Sequence, residues 1–198
     1  MLSAAGYRPG ATADDVLLET ERLVVRRFTA TDADLLVDLD ADAEVMRYVT
    51  GGLPTPRKEV EREWLPAFLE AYDRDDGYGF WAAEEKPSRT FVGWFHLRPA
   101  EGMPRDEPEL GYRLVRGAWG RGLASEGARA LVAYAFADLD ASRVVAECMA
   151  VHTASRRVME KAGLRLVQAF HQDWPVRIDG DEYGDVQYAL TRGEWSAR

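Results

Sequence analysis

The chain has 198 residues, 46% of them hydrophobic, and a formal net charge of −9. This length and composition predict a single globular domain with a sizeable core. The acidic balance argues against nonspecific nucleic-acid binding, and no apolar run approaches the roughly 20 residues of a membrane-spanning helix. The single cysteine, Cys148, excludes an internal disulfide, so we expect a cytoplasmic protein without a membrane partner.

The sequence predicts a flexible N-terminal extension over residues 1–15, followed by one domain over 16–198. Thr31 is the expected N-cap of the first helix, because Asp32 and Asp34 would then lie in its first turn. Apolar periodicity predicts the remaining elements of this half. They are a first strand over 19–28, a second helix over 56–73, and a strand pair over 78–84 and 90–97.

The most informative segment is the glycine-containing turn at 117–124, between a strand over 109–115 and a long amphipathic helix. The first N–H groups of a helix have no partner within the helix, and glycines allow an anion to approach the backbone. The turn therefore indicates a phosphate-bearing cofactor. Its spacing fits neither the dinucleotide fingerprint nor the ATP/GTP phosphate loop, and a tight turn shaped only by packing is the alternative.

The C-terminal half alternates strands and a helix. A strand over 143–149 precedes a short helix that begins near His152 and ends at Gly163, a residue type typical of helix C-termini. Two final strands follow over 164–174 and 182–191. Strands interleaved with helices predict an α/β fold, in which a mixed sheet carries helices on its faces.

Three segments in this order resemble the GCN5-related N-acetyltransferases (GNAT), and most closely their ribosomal-protein N-acetyltransferase branch. Residues 119–126 match that branch's Trp-Gly-Lys-Gly-Tyr-Ala-Thr-Glu segment, and residues 154–164 match Ala-Ser-x-Arg-Val-Met-Glu-Lys-x-Gly-Phe. Residues 18–26 match its first strand. The resemblance covers roughly residues 17–192, nearly the whole chain.

The resemblance implies a fold and an activity. The fold is a mixed sheet of about seven strands whose central parallel strands, here 109–115 and 143–149, splay apart around acetyl-CoA. The activity is direct transfer of an acetyl group from acetyl-CoA, the cosubstrate, to a primary amine of a protein N-terminus or a small molecule. A homodimer is possible by the same resemblance. A non-catalytic acyl-CoA-binding or sensing protein of this fold is the alternative.

The resemblance also implies cofactor-binding residues. Backbone amides over 120–125 would hold the pyrophosphate, backbone groups of Leu114 and Val115 would pair with the pantetheine arm, and His152 would contact that arm. Arg121, Arg156 or Arg157 would meet the 3′-phosphate. The full expected set is Leu114, Val115, Trp119, Gly120, Arg121, Gly122, Leu123, Ala124, Ser125, His152 and Ser155.

Acetyl transfer needs a base for the amine and a proton donor for the departing thiolate. By resemblance, Glu109 is the first candidate for the base, with Glu147 and His96 behind it. Many family members use a tyrosine as the donor, but the matching position here is Met159, so we expect Ser155 to replace it.

His152 stands where the family usually has asparagine, and it is a second candidate acid. Gly117 replaces the glutamine or arginine that begins the family's pyrophosphate motif. The three histidines lack metal-ligand spacing, so no metal is expected. We also expect one of Trp94 and Phe95 to line the amine site, since successive strand residues face opposite ways.

Overall fold

The computed structural model describes residues 16–74, 77–174 and 176–197. The extension predicted over 1–15 lies outside these residues. Among the helices that are described, none combines the length and the apolar character needed to cross a bilayer.

One mixed sheet of eight strands organises the chain, in the order β1-β2-β3-β4-β5-β6-β8-β7. Every neighbouring pair of these strands is antiparallel except β5 and β6, which are parallel. The strands are β1 Val16–Glu19, β2 Leu23–Arg27, β3 Gly79–Glu85, β4 Thr90–Pro99, β5 Pro108–Leu114, β6 Arg143–Met149, β7 Arg165–Phe170 and β8 Asp185–Thr191. The α/β prediction is confirmed, with one more strand than the expected seven.

The additional strand arises where the sequence predicted a single strand over 19–28. The chain turns at Thr20, whose N–H donates to the Leu23 carbonyl (2.9 Å) and whose Oγ1 accepts the Leu23 N–H (2.9 Å). The same hydroxyl donates to Glu126 on a distant helix (2.5 Å). This contact between residues far apart in sequence holds the turn, so β1 and β2 form a hairpin.

Helices cover both faces of the sheet. The helix predicted over 56–73 is continuous from Arg57 to Tyr72 but contains one π-helical segment, Val60–Trp64. The first helix has Asp32, not Thr31, at its N-cap position. The α-helices are α1 Ala33–Asp40, α2 Ala43–Met46, α3 Arg57–Glu59, α4 Leu65–Tyr72, α5 Leu123–Ala137, α6 Thr153–Ala162 and α7 Arg192–Ser196.

The core forms two layers, one on each face of the sheet, and β4 contributes to both. Phe95 and Leu97 are fully buried in the layer that contains α5. Phe95 fits there because α5 has glycine at 127, where a Cβ would lie 2.3 Å from the phenyl ring. Trp94 faces the opposite layer, with α1 and α4. Alternation along one strand therefore separates two environments.

A buried ion network joins the start of α1 to the sheet. The Arg26 guanidinium contacts Asp32 Oδ2 through Nη1 (2.8 Å) and Glu84 Oε1 through Nε (2.6 Å). Arg89 adds a second cation to Glu84 (2.7 Å). The Asp32 carboxylate accepts hydrogen bonds from the Arg26 guanidinium and from the Thr29 N–H (2.9 Å). Because it is bound to these groups, it makes no side-chain cap to its own helix.

Arg26→Ala is expected to lower the free energy of unfolding by about 3–5 kcal/mol, because it leaves two buried carboxylates without their shared cation. Urea unfolding followed by circular dichroism measures the change. Arg57→Ala is the matched control, because Arg57 forms exposed ion pairs with Asp34 and Glu61 and its loss should change stability little. Equal effects of the two substitutions would contradict a structural role for the buried network.

Candidate functional site

The parallel strands β5 and β6 diverge directly after a single paired position. Both strands are wholly described, and they pair at one position, Glu109 opposite Val145. On its other edge β5 is fully paired with β4, and Val115 N–H donates to the Val92 carbonyl (3.0 Å). Because ladder hydrogen bonds alternate along an antiparallel strand, the backbone groups of Tyr112 and Leu114 point away from β4, into the opening gap. The gap is therefore lined by backbone donors and acceptors.

The glycine turn after β5 ends at the N-terminus of α5. Gly120 and Gly122 have φ values of 71° and 82°, a left-handed conformation that L side chains seldom adopt. The N–H groups of the first turn of α5, from Leu123 to Ser125, have no acceptor inside the helix. Together with the helix dipole they form a positively polarised anion seat beside the gap.

Two side chains of the glycine turn, Trp119 and Arg121, already have partners within the protein. Trp119, 46% exposed, donates its indole N–H to the Leu114 carbonyl (2.9 Å). Arg121 forms an ion pair with Glu85 (3.0 Å). Gly117 has an ordinary φ, and nothing lies within 4 Å of a Cβ built there. This departure from the family consensus is therefore not required by packing.

Val115 differs from the other backbone groups that were expected to pair with a pantetheine arm. Its N–H is bound to Val92, and its carbonyl accepts from Ala118 N–H (2.9 Å). Both groups are thus occupied, and the strand's free edge lies earlier. Leu114 and Tyr112 are the residues whose backbone faces the gap.

Three side chains meet on the α6 side of the gap. The Tyr112 hydroxyl lies 3.0 Å from the carbonyl oxygen of Ser155 and 3.0 Å from its Oγ. Cys148 on β6 contacts the same serine, and burial raises the pKa of its thiol to about 11. Cys148 therefore remains a neutral thiol at physiological pH and is a poor nucleophile. Burial likewise raises the pKa of Tyr112, which remains a protonated phenol.

Tyr112 was not among the candidates from the sequence. The available signal was its position two residues before Leu114, which places its side chain on the same face of β5 as those of Leu110 and Leu114. The matching donor position on α6 is Met159, which is buried in the core. Tyr112 on β5 supplies the phenol that is absent from α6.

His152 lies at the N-cap position of α6, with its ring stacked on Tyr48 at a centroid distance of 4.5 Å. Burial lowers the pKa of this imidazole to about 4. At neutral pH it is an uncharged ring with one donor and one acceptor nitrogen. It is suited to hydrogen bonding and poorly suited to delivering a proton as an imidazolium.

Glu109 is half-buried on the other face of β5, away from Tyr112 and Ser155. Burial raises the pKa of its carboxyl, with Arg98 acting to lower it and Glu147 to raise it. Glu147 is exposed and accepts a hydrogen bond from Gln187 Nε2 (2.7 Å). Burial lowers the pKa of His96 to about 3, so this histidine is a weak base.

The structure decides which of the two strand aromatics lies near the Glu109 face. Phe95 is buried under α5, whereas Trp94 lies on the Glu109 face. The Arg113 guanidinium lies 5.1 Å from the Trp94 ring and forms an ion pair with Asp40 (2.6 Å). Trp94 is therefore the aromatic residue of this surface.

The gap thus separates two sets of groups. A carboxylate with a raised pKa lies on one face, and a tyrosine–serine pair lies on the other. An amine that approaches from the first face and a sulfur that leaves on the second would each meet a group suited to proton transfer.

Comparison with known proteins gives a consistent result. Residues 22–165 match the family model described as an acetyltransferase (GNAT) domain. A protein of Aspergillus fumigatus named FsC-acetyl coenzyme A-N(2)-transacetylase is 34% identical over 186 residues, which cover 90% of this chain and 77% of that protein. An uncharacterized N-acetyltransferase of Bacillus subtilis is 27% identical, covering 90% of this chain and 99% of its own length.

Solved structures share the fold. A GNAT-family acetyltransferase from Bacillus anthracis superposes with a TM-score of 0.74 at 25% identity, covering 89% of this chain and 98% of that one. A ribosomal L7/L12 alpha-N-protein acetyltransferase, solved in complex with coenzyme A, gives a TM-score of 0.71 at 20% identity. That alignment covers 89% of this chain and 97% of that structure.

Proposed function

The chain belongs to the GNAT acetyltransferase family and is an N-acetyltransferase, and we propose that it transfers the acetyl group of acetyl-CoA directly to a primary amine in a ternary complex. The observation that carries this proposal is the gap between β5 and β6, with Glu109 on one face and Ser155 on the other. Direct attack needs no covalent enzyme intermediate, and the neutral thiol of Cys148 supports that route.

Acetyl-CoA is the cosubstrate that the family uses, and the residues present suit it. The pyrophosphate would accept hydrogen bonds from the N–H groups of the turn and of α5, over 120–125. The pantetheine arm would pair with the Leu114 N–H and with the backbone of Tyr112 as an added strand, because these groups face the gap, whereas the Leu114 carbonyl already accepts the Trp119 indole N–H. His152, as a neutral ring, would hydrogen-bond the arm, and exposed Arg157 would approach the 3′-phosphate.

Glu109 acts as the base in this proposal. The incoming ammonium must lose a proton before its nitrogen can attack the thioester carbon. Burial raises the pKa of the Glu109 carboxyl, which makes it a stronger base than an exposed carboxylate. The proton passes from the amine to the Glu109 carboxylate, directly or through one water.

Ser155 and Tyr112 act on the leaving group. As the carbon–sulfur bond breaks, the sulfur gains negative charge and needs a donor. In this proposal Ser155 Oγ–H donates to the sulfur, and the Tyr112 phenol, 3.0 Å from both the Ser155 carbonyl oxygen and Oγ, turns its single proton from the carbonyl to Oγ. Such a chain of two hydroxyls lets each hydrogen bond strengthen the next.

Gly122→Glu should weaken acetyl-CoA binding at least about tenfold, because a side chain and a negative charge would enter the pyrophosphate seat. Calorimetric titration of the protein with acetyl-CoA and with CoA measures the affinity. Gly102→Glu adds the same charge at another left-handed glycine (φ 77°), in the loop between β4 and β5, where a Cβ meets nothing within 4 Å, and serves as the control. Unchanged affinity in a folded Gly122→Glu protein would refute this seat, and absence of binding by the unmodified protein would refute the acetyl-CoA proposal.

Glu109→Gln should reduce kcat/KM at pH 7 about 100-fold, the lower end of what a general base contributes. The residual rate should then rise with pH as free amine accumulates, whereas the unmodified enzyme should lose activity as pH falls through the raised pKa of Glu109. A pH–rate profile tests both features. Glu147→Gln is the matched control on the adjacent strand. A loss confined to that variant would assign the base to Glu147.

Ser155→Ala and Tyr112→Phe should each lower kcat about tenfold with the affinity for CoA unchanged, because both remove a donor to the departing sulfur. If Tyr112 acts through Ser155, the double variant should be no slower than Ser155→Ala alone. Tyr134→Phe, a hydroxyl removed from α5, controls for loss of a phenol elsewhere. Multiplicative losses in the double variant would show that the two hydroxyls act separately.

A further inference from the structure

Four buried side-chain nitrogens lack a hydrogen-bond partner in the described part of the chain, and all four lie on one face of β4. They are Trp94 Nε1, His96 Nδ1, His96 Nε2 and Arg98 Nε. Because these residues occupy alternate positions on the strand, their side chains project to the same side. Elsewhere among residues 16–74, 77–174 and 176–197, buried side-chain nitrogens and oxygens are satisfied.

These nitrogens are mostly donors. Trp94 and Arg98 offer only N–H groups, and a neutral His96 offers one. Trp94 and His96 are 7% and 9% exposed. Unpaired donors at this depth are costly and uncommon in native proteins. The four nitrogens of Trp94, His96 and Arg98 together therefore suit a ligand with oxygen acceptors.

Arg98 supplies the charge of this group. It lies directly opposite Glu109 in the β4–β5 register, and its guanidinium is 5.3 Å from the centre of the Phe80 ring. Among the described residues its guanidinium forms no ion pair, although Glu109 opposite feels its charge, since Arg98 acts to lower the pKa of that carboxyl. Arg113, the next cation on this face, is by contrast paired with Asp40 at 2.6 Å.

The packing beside Arg98 brings His96 against β5. His96 lies across Gly111, where a Cβ would come within 2.5 Å of the imidazole. Glycine at 111 therefore leaves room for the imidazole over β5. The Glu109 carboxylate and the Arg98 guanidinium consequently share one face, on strands about 5 Å apart.

We propose that Arg98 binds a carboxylate of the acceptor, so that the substrate is an amino acid whose amine lies at Glu109 while its carboxylate pairs with the guanidinium. This inference rests on the proposed acetyl transfer and names its acceptor class. An α-amino acid separates its two charged groups by one carbon, which suits two side chains on adjacent strands. A polyamine would bring a second cation toward Arg98, and a peptide N-terminus would bring only a neutral carbonyl.

Matched acceptors test the proposal in the full-length protein with saturating acetyl-CoA. Release of CoA thiol is measured with L-ornithine, L-leucine and L-phenylalanine, with their methyl esters, and with the corresponding decarboxylated amines. At least one free amino acid should exceed its own ester and amine in kcat/KM by at least about tenfold, the value of a charge-assisted hydrogen bond.

At a pH on the upper plateau of both pH–rate profiles, where the effect of Arg98 on the Glu109 pKa no longer changes the rate, Arg98→Gln should lower kcat/KM for that amino acid about 10- to 100-fold and leave its decarboxylated amine within about twofold. Arg98→Lys should retain part of the preference, because it keeps the charge but loses the planar fork. Arg129→Gln, which removes an exposed arginine from α5, should leave all rates unchanged. This pattern separates carboxylate recognition from a general loss of activity.

Several results would overturn the proposal. Equal rates for amino acids, esters and amines, or equal losses on every acceptor in Arg98→Gln, would remove the carboxylate site while leaving acetyl transfer intact. Preference for esters would point to a peptide or ester acceptor instead. If no acceptor leads to release of CoA, the proposed acetyl transfer has failed in this assay. Calorimetric binding of the same amino acids to the CoA-loaded protein then decides whether Arg98 binds a carboxylate. Carboxylate-dependent binding that Arg98→Gln abolishes would support the site, and its absence would refute it.

Discussion

The separation of β5 from β6 is the constraint on which the rest of the structure depends. Parting two strands inside a sheet leaves backbone N–H and C=O groups without ladder partners, which is costly unless something else satisfies them. Trp119 takes the Leu114 carbonyl, and the Tyr112 side chain reaches across the gap to Ser155 on α6. The remaining groups along β5 are available to an added strand-like ligand. The gap thus destabilises the sheet, and it also supplies the free backbone groups that can bind a ligand.

The gap also divides the chemistry by face. Alternation along β5 directs Glu109 toward the layer with α1 and α4, and Tyr112 toward the layer with α5 and α6. A proton can then be taken from an amine on one side and supplied to a sulfur on the other, without the two groups neutralising each other. On the amine side, Arg113 is ion-paired with Asp40, whereas Arg98 lies opposite Glu109 and forms no ion pair among the described residues.

Burial narrows the set of groups that can change protonation near the gap. It keeps Cys148 a thiol and keeps His96 and His152 uncharged, since their pKa values are about 11, 3 and 4. None of the three is therefore a good general acid or base at neutral pH. Glu109 differs because it is half-buried and lies between a cation and a second carboxylate. Burial thus raises the basicity of Glu109 and lowers that of His96, the histidine that the sequence offered as a base.

Much of the architecture was determined by the sequence itself, because it follows from local rules. Period-two and period-3.6 patterns located the strands from β3 to β6 and the helices α5 and α6, and Gly163 marked the end of α6 with φ 99°. The glycine turn and its neighbouring segments pointed to the family and to the region of Ser155. These features depend on residues near one another in the chain.

Tertiary structure decided what depends on distant partners. The break in the first strand is held by Glu126, which is 106 residues beyond Thr20. The pairing of Val115 with Val92 removes its backbone from the gap, and the contact of Tyr112 with Ser155 joins residues 43 positions apart. That Arg98 forms no ion pair among the described residues is visible only once the carboxylates around it have been placed. Register, burial and charge pairing arise from the folded arrangement, and no local pattern encodes them.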